Sequence, residues 1–189
     1  MTAVNVPRRP AEPDNPDRDR LRRIGLKVRK RLAANKAVRR IPVDKAELWA
    51  VASFLDAVEC GRLMAMIDTV AQPSQAYHVD YSSGYRTSYS GQFDPNDSFI
   101  VTLERRLCGL LGLPADSGET IEGQRYIAGQ EFKPHLDWYD PRTAIWDVEK
   151  DHGGQRAFTA MAFLNAVEEG GATDSRCSTS RSSRAPAPC

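Results

Sequence analysis

The stretch Arg125–Pro141, RYIAGQEFKPHLDWYDP, decides how the rest of this 189-residue chain is read. His135 and Asp137 stand two apart within it. In an extended strand, residues i and i+2 point to the same face, so an imidazole and a carboxylate would be aimed at one point. With a second histidine from elsewhere, such a pair makes the 2-His-1-carboxylate set that holds a non-haem Fe(II) ion with open coordination positions. H-x-D by itself occurs by chance in many proteins, so the flanking residues must carry the weight.

Outward from this stretch the hydrophobic period changes once. Before it, spacings of three and four predict helices. Leu21, Ile24, Val28 and Leu32 give one apolar stripe on a very basic helix over Asp17–Asn35. Pro42 opens a second helical stretch, with Asp44 as N-cap, Glu47 three residues on, and Leu48, Val51, Ala52 and Leu55 as its apolar face. Asp56 precedes a third helix, Ala57–Val70, and a fourth runs from Pro95 or Asp97 to Leu111, where Gly112 stops it. The Ser/Gly/Tyr-rich run Tyr77–Gly91 reads as strand and loop, with His78 a surface residue. From Glu119 onward β-favouring runs take over: Ile121–Ile127, Glu131–Trp138 and Ala157–Leu164, with Asp140–His152 as a connection. Helices first and strands afterwards predict an α+β arrangement in which helices buttress a sandwich or barrel.

Four further segments accompany H-x-D in order. They are R-Y-x-x-G-Q (Arg125–Gln130), G-G-Q-R (Gly153–Arg156), F-L-N-x-V-E-E-G-G-x-T (Phe163–Thr173) and, upstream, R-T-S (Arg86–Ser88). Together, over roughly residues 45–174, they resemble the catalytic domain of prolyl 4-hydroxylase-like Fe(II)/2-oxoglutarate dioxygenases. The resemblance implies a double-stranded β-helix (jelly-roll) core and iron-dependent hydroxylation. It implies Fe(II) on His135 and Asp137, 2-oxoglutarate reached by Tyr126, a substrate groove near Arg156, and ascorbate as an accessory reductant. Beyond the metal ligands it names no catalytic side chain. Where the family carries a tyrosine three residues before the metal histidine, Phe132 stands here. The substrate is therefore left as a peptide or a free amino acid. His152, only fifteen residues beyond Asp137, is not read as a ligand, because the family's distal histidine comes from a later strand.

After Asp174 the sequence becomes SRCSTSRSSRAPAPC, rich in Ser, Arg and Pro without periodicity. A sandwich needs more strands at this point. Residues 175–189 can be written as codons with unspecified third bases and shifted by one, borrowing the last base of the Asp174 codon. The shifted codons permit F-P-L-L-D-L-A-V-V-P-R-P-G-A-L, an apolar strand, a turn and another strand start. This points to a frameshift after Asp174 that removes the distal histidine and the basic residue for 2-oxoglutarate, leaving a truncated and inactive chain. The expected organisation is residues 1–16 disordered, 17–118 a helical support region, 119–174 the first part of the jelly roll, and 175–189 an aberrant or disordered tail.

Composition narrows the setting. The 41% hydrophobic and 27% charged residues are those of a globular protein. Residues 1–40 hold 13 Lys/Arg against 4 Asp/Glu, and the remainder 13 against 21, so a net charge of +1 conceals a basic head on an acidic body. That head is read as packing on the body; the alternative is a non-enzymatic binding module that uses its basic helix. No aromatic residues interleave with the cations, which makes nucleic acid the weaker partner. No run approaches the roughly 18 apolar residues of a membrane span, and the N-terminus lacks the apolar core of a secretory signal. The expected location is cytoplasmic. Cys60, Cys108, Cys177 and Cys189 form no CxxC pair, which argues against a zinc site.

Overall fold

The computed structural model describes residues 18–43, 46–74 and 84–174. The expectations for the two ends, for Asp44 as an N-cap and for His78 fall outside those residues. The chain forms α1 (Arg18–Ala34), β1 (Val38–Ile41), β2 (Leu48–Val51), α2 (Ala57–Val70), β3 (Gln72–Pro73), β4 (Tyr89–Gln92), α3 (Ser98–Leu111), β5 (Glu122–Arg125) and α4 (Ala144–Glu149), with a 3₁₀ turn at Ala115–Ser117. It is an α+β structure with two small antiparallel sheets, β1–β2 and β3–β4–β5. The described residues fall into two compact units, 28–135 with 160–174, and 18–27 with 136–159.

The larger unit is organised by α2 and α3. Asp56 caps α2 through a reciprocal capping box: its carboxylate accepts from the Glu59 N–H at 2.8 Å, and the Glu59 carboxylate accepts from the Asp56 N–H at 3.0 Å. Asp97 caps α3 by accepting from the N–H groups of Phe99 and Ile100. At the other end Gly112 adopts φ 73°, a left-handed conformation that favours glycine, and its N–H closes onto the Cys108 carbonyl. The core joins Leu55, Cys60, Leu63 and Ile67 to Phe93, Ile100 and Leu103, with Ile121 and Leu164 packed on its rim.

A glycine pair lets α2 lie close on the sheet. Gly91 of β4 faces Gly123 of β5 across the ladder. A Cβ at Gly91 would sit 2.4 Å from the Val70 carbonyl oxygen, and one at Gly123 would sit 2.3 Å from Ile67 Cγ1. Neither position has room for a side chain, so the helix-to-sheet distance is set by the two missing methyl groups.

In the same unit the basic helix packs, as its apolar stripe implies: Val28 is 1% and Leu32 4% exposed. The Arg31 guanidinium donates to the Gly109 carbonyl at 2.6 and 2.9 Å, placing a cation at the C-terminal end of α3, where the helix dipole favours one.

Three expectations are corrected. Residues 48–51 are a strand, not part of a helix: Val38↔Val51 through Ile41↔Leu48 form a four-pair antiparallel ladder. The Leu48–Val51–Ala52–Leu55 spacing fits a helix, but Val and Trp also suit a pleated surface, and the partner β1 decides. Glu131–Trp138 is not a strand either. Only Phe132 makes a bridge, to Arg86, and Pro134 cannot donate to a ladder. Ala157–Leu164 is extended without a ladder partner among the described residues, leaving Met161 58% and Phe163 47% exposed. One element was missed: α4 forms inside the expected connection Asp140–His152.

Candidate metal and co-substrate site

His135 is held by a stack whose members are far apart in sequence. Its imidazole lies on the Phe132 ring, with centroids 3.5 Å apart and planes 12° from parallel. The Arg86 guanidinium carbon lies 4.7 Å from the centre of the same Phe132 ring, and Tyr85 meets it edge-on at 6.2 Å. Arg86 is itself fixed: its side chain is 8% exposed, it donates to Glu122 Oε1 at 3.0 Å, and its Nε donates to Ser88 Oγ at 3.2 Å. Backbone bonds from Lys133 N to the Tyr85 carbonyl and from Thr87 N to the Glu131 carbonyl tie the two segments together. The Tyr85 hydroxyl donates to the Pro134 carbonyl. Thus the R-T-S element is wired directly to the segment that presents His135.

His135 Nδ1 lies 2.8 Å from the Lys133 carbonyl oxygen. A carbonyl only accepts, so Nδ1 carries a proton and Nε2 is the nitrogen left to face a metal. This is the second-shell arrangement that orients metal-binding histidines. Tyr126 follows β5 in the same unit, 45% exposed, its hydroxyl donating to Gln124 Oε1 at 3.2 Å.

The smaller unit holds Asp137 and Arg156. Asp137 Oδ2 accepts from the Thr159 hydroxyl at 2.6 Å, and its backbone carbonyl lies 3.4 Å from Arg156 Nη1. Arg156 also stacks over the Tyr139 ring at 4.5 Å. Gln155, 6% exposed, explains the order of the G-G-Q-R segment. Its amide oxygen accepts from Tyr139 N at 2.7 Å, while its Nε2 donates to the Tyr139 carbonyl at 2.8 Å, imitating a strand neighbour. The turn that returns Gln155 uses Gly153 and Gly154 at φ 132° and 83°.

His135 and Asp137 are donors of the types that suit Fe(II), an imidazole nitrogen and a carboxylate. The alternation that would point them the same way does not apply, because residues 133–138 are irregular. Among the described residues no group of three His, Cys, Asp or Glu gathers to hold a metal.

No protein-family profile matches the sequence. Similar proteins are nonetheless found in Arabidopsis thaliana. "Probable prolyl 4-hydroxylase 3" is 34% identical over 129 residues, 64% of this chain and 42% of that protein. The chain is similar to prolyl 4-hydroxylases over part of their length. "Prolyl 4-hydroxylase 5" is 30% identical over 131 residues and "Probable prolyl 4-hydroxylase 8" 31% over 127, with the same coverage. The chain spans about two fifths of the length of these relatives. Among the described residues no helix is long and apolar enough to cross a membrane.

Sequence reasoning missed the support beneath the histidine. In the sequence R-T-S carries no assigned role, and Phe132 stands out only as a departure from a tyrosine. The pairing that gives both a role is visible only once β4 and β5 bring the segments together.

Proposed function

We propose that this chain carries part of an Fe(II)- and 2-oxoglutarate-dependent hydroxylase core of the prolyl 4-hydroxylase type, built on a jelly roll. The observation that carries this reading is the likeness to the Arabidopsis prolyl 4-hydroxylases, in a chain whose H-x-D histidine is tautomer-fixed by the Lys133 carbonyl. His135 Nε2 and the Asp137 carboxylate are the proposed metal donors, the latter steadied by the Thr159 hydroxyl. Tyr126 is the proposed contact to 2-oxoglutarate. Arg156, held over Tyr139, is the proposed contact to a peptide or amino-acid substrate. When bound, Fe(II) with 2-oxoglutarate supplies the O₂ activation that hydroxylation requires, with ascorbate as reductant. The protein's part is to orient donors and substrate and to limit water.

The 189-residue chain by itself is proposed to turn over little or nothing, since among the described residues no group of three donors gathers to hold a metal. The shifted frame of codons 175–189 is the proposed source of further core strands, and the exposed side chains of Met161 and Phe163 support a place for them. The experiment is to resequence the gene across codons 173–176, then assay 2-oxoglutarate decarboxylation with proline-containing peptides and free amino acids. The chain as written and a frame-restored chain are compared. Turnover only in the restored chain, abolished by His135→Ala, supports the reading; an inactive restored chain, or activity indifferent to His135, sinks it.

A further inference from the structure

We propose that the cleft between the C-terminal half of α1 and the β1–β2 hairpin binds single-stranded nucleic acid. In this site Lys30 and Arg40 meet backbone phosphates and Trp49 stacks on a base. The inference does not rest on the hydroxylase reading.

The cleft has a volume of about 530 Å³ and is lined by Arg29, Lys30, Ala33, Arg40, Glu47 and Trp49. Arg40 and Trp49 are direct cross-strand partners, so the antiparallel pairing puts a guanidinium and an indole side by side on one face of the hairpin. The helix contributes Arg29 and Lys30, and one turn on from Arg29 the small Ala33 leaves room for a planar group.

Glu47 sets the division of labour among these cations. Its carboxylate accepts from Trp49 Nε1 at 3.0 Å and from Arg29 Nε at 2.5 Å. Desolvation pushes its pKa up, but the hydrogen bonds from Trp49 and Arg29 and the charges of Arg29 and Arg40 outweigh that, and the carboxyl is held below the usual range. Glu47 therefore stays ionised, occupies Arg29 and pins the polar edge of the indole. Lys30 and Arg40 have no ion-pair partner among the described residues. Two cations outside any ion pair among the described residues, beside an anchored aromatic ring, form the recurring pattern for single strands, a track for phosphates with a stacking platform.

The wider charge favours a polymer over a lone nucleotide. Residues 18–40 contain eleven Lys or Arg and one Asp, while the whole chain has a net charge of only +1. Exposed Lys36, in the turn from α1 to β1, extends the basic surface past the cleft. An acidic peptide could use these cations but would have no use for the indole. Sequence alone ranked nucleic acid low because it saw no aromatic among the cations; the β1–β2 pairing supplies one.

The test uses the full chain. Anisotropy of a labelled thymidine oligonucleotide and tryptophan fluorescence are followed between about 50 and 200 mM salt. Binding should be saturable and quench fluorescence, and it should weaken as salt rises. Trp49→Ala should weaken it roughly ten- to hundredfold, the cost of one lost stack at about tenfold per 1.4 kcal/mol. Trp49→Tyr should retain most of it. Lys30→Ala and Arg40→Ala should each lower the slope of log K against log salt by about 0.7, one phosphate contact apiece. Arg105→Ala, an exposed cation on α3, should change nothing. The proposal is overturned by absent binding, or by polyglutamate competing as well as the oligonucleotide with Trp49→Ala silent. ATP binding as tightly as the oligonucleotide would equally overturn it in favour of a mononucleotide pocket.

Discussion

Gly123→Ala should destabilise the larger unit, and by an amount the geometry bounds. The added Cβ would lie 2.3 Å from Ile67 Cγ1, 2.9 Å from Phe93 Cζ and 3.0 Å from Ile67 Cδ1. Ordinary carbon contacts are about 3.5–4.0 Å, so something must move by roughly 1.2 Å. Ile67 is 5% and Phe93 4% exposed, so neither can swing into solvent. Overpacking of this kind costs about 1–3 kcal/mol, and the tightness here argues for the upper end. Replacing glycine reduces the entropy of the unfolded chain, which returns about 0.4–1 kcal/mol. The net expectation is about 2 kcal/mol, a fall in the urea midpoint of roughly 1 M if the slope is about 2 kcal/mol/M. Equilibrium unfolding followed by circular dichroism measures it. Ile67→Ala opens the same space, so the double variant should be more stable than the sum of the single costs by about 1–2 kcal/mol. A Gly123→Ala protein within about 0.5 kcal/mol of its parent, or strict additivity in the double variant, would refute the close approach of α2 to β5.

Three further outcomes follow from local structure. Asp56→Ala removes the acceptor for the Glu59 N–H and half of the capping box, and should lower stability by about 1 kcal/mol in the same assay. Glu47 has a folded-state pKa below its unfolded value, so its contribution is present above about pH 4.3 and is lost as pH falls through the lower folded value. Glu47→Gln should flatten that part of the acid limb and leave the profile above about pH 6 parallel to the parent's. The Cys108 thiol is pushed up by burial, then by the neighbouring charges of Glu104 and Asp116. Mass mapping after brief alkylation at about pH 8.5 should show Cys108 reacting at least roughly tenfold more slowly in the native chain than in urea.

The helices were legible in the sequence because their signals are local. Asp56 with Glu59, Asp97 and Gly112 mark their own helix ends, and the three- and four-residue spacings mark buried faces such as Cys60–Leu63–Ile67. The hairpin was not legible. Leu48–Val51 satisfies either period, and only the presence of β1 makes the strand the lower-energy choice. Strand propensity likewise misled at Ala157–Leu164, where suitable side chains find no ladder among the described residues. The site divides the same way. H-x-D is a local pattern, but its strand geometry fails because residues 133–138 are irregular, and the Arg86–Phe132–His135 stack depends on a bridge between distant segments that no local pattern announces.

The most direct test is the binding of Mn(II), as an oxygen-insensitive substitute for Fe(II), followed by loss of the free-ion paramagnetic resonance signal with and without 2-oxoglutarate. If His135 and Asp137 are the donors, the chain takes up the ion measurably, more so with 2-oxoglutarate. His135→Ala and Asp137→Ala should then each weaken uptake by at least about tenfold, while His152→Ala leaves it unchanged. Uptake that is absent from the parent chain, or the same in all three variants, would contradict the assignment.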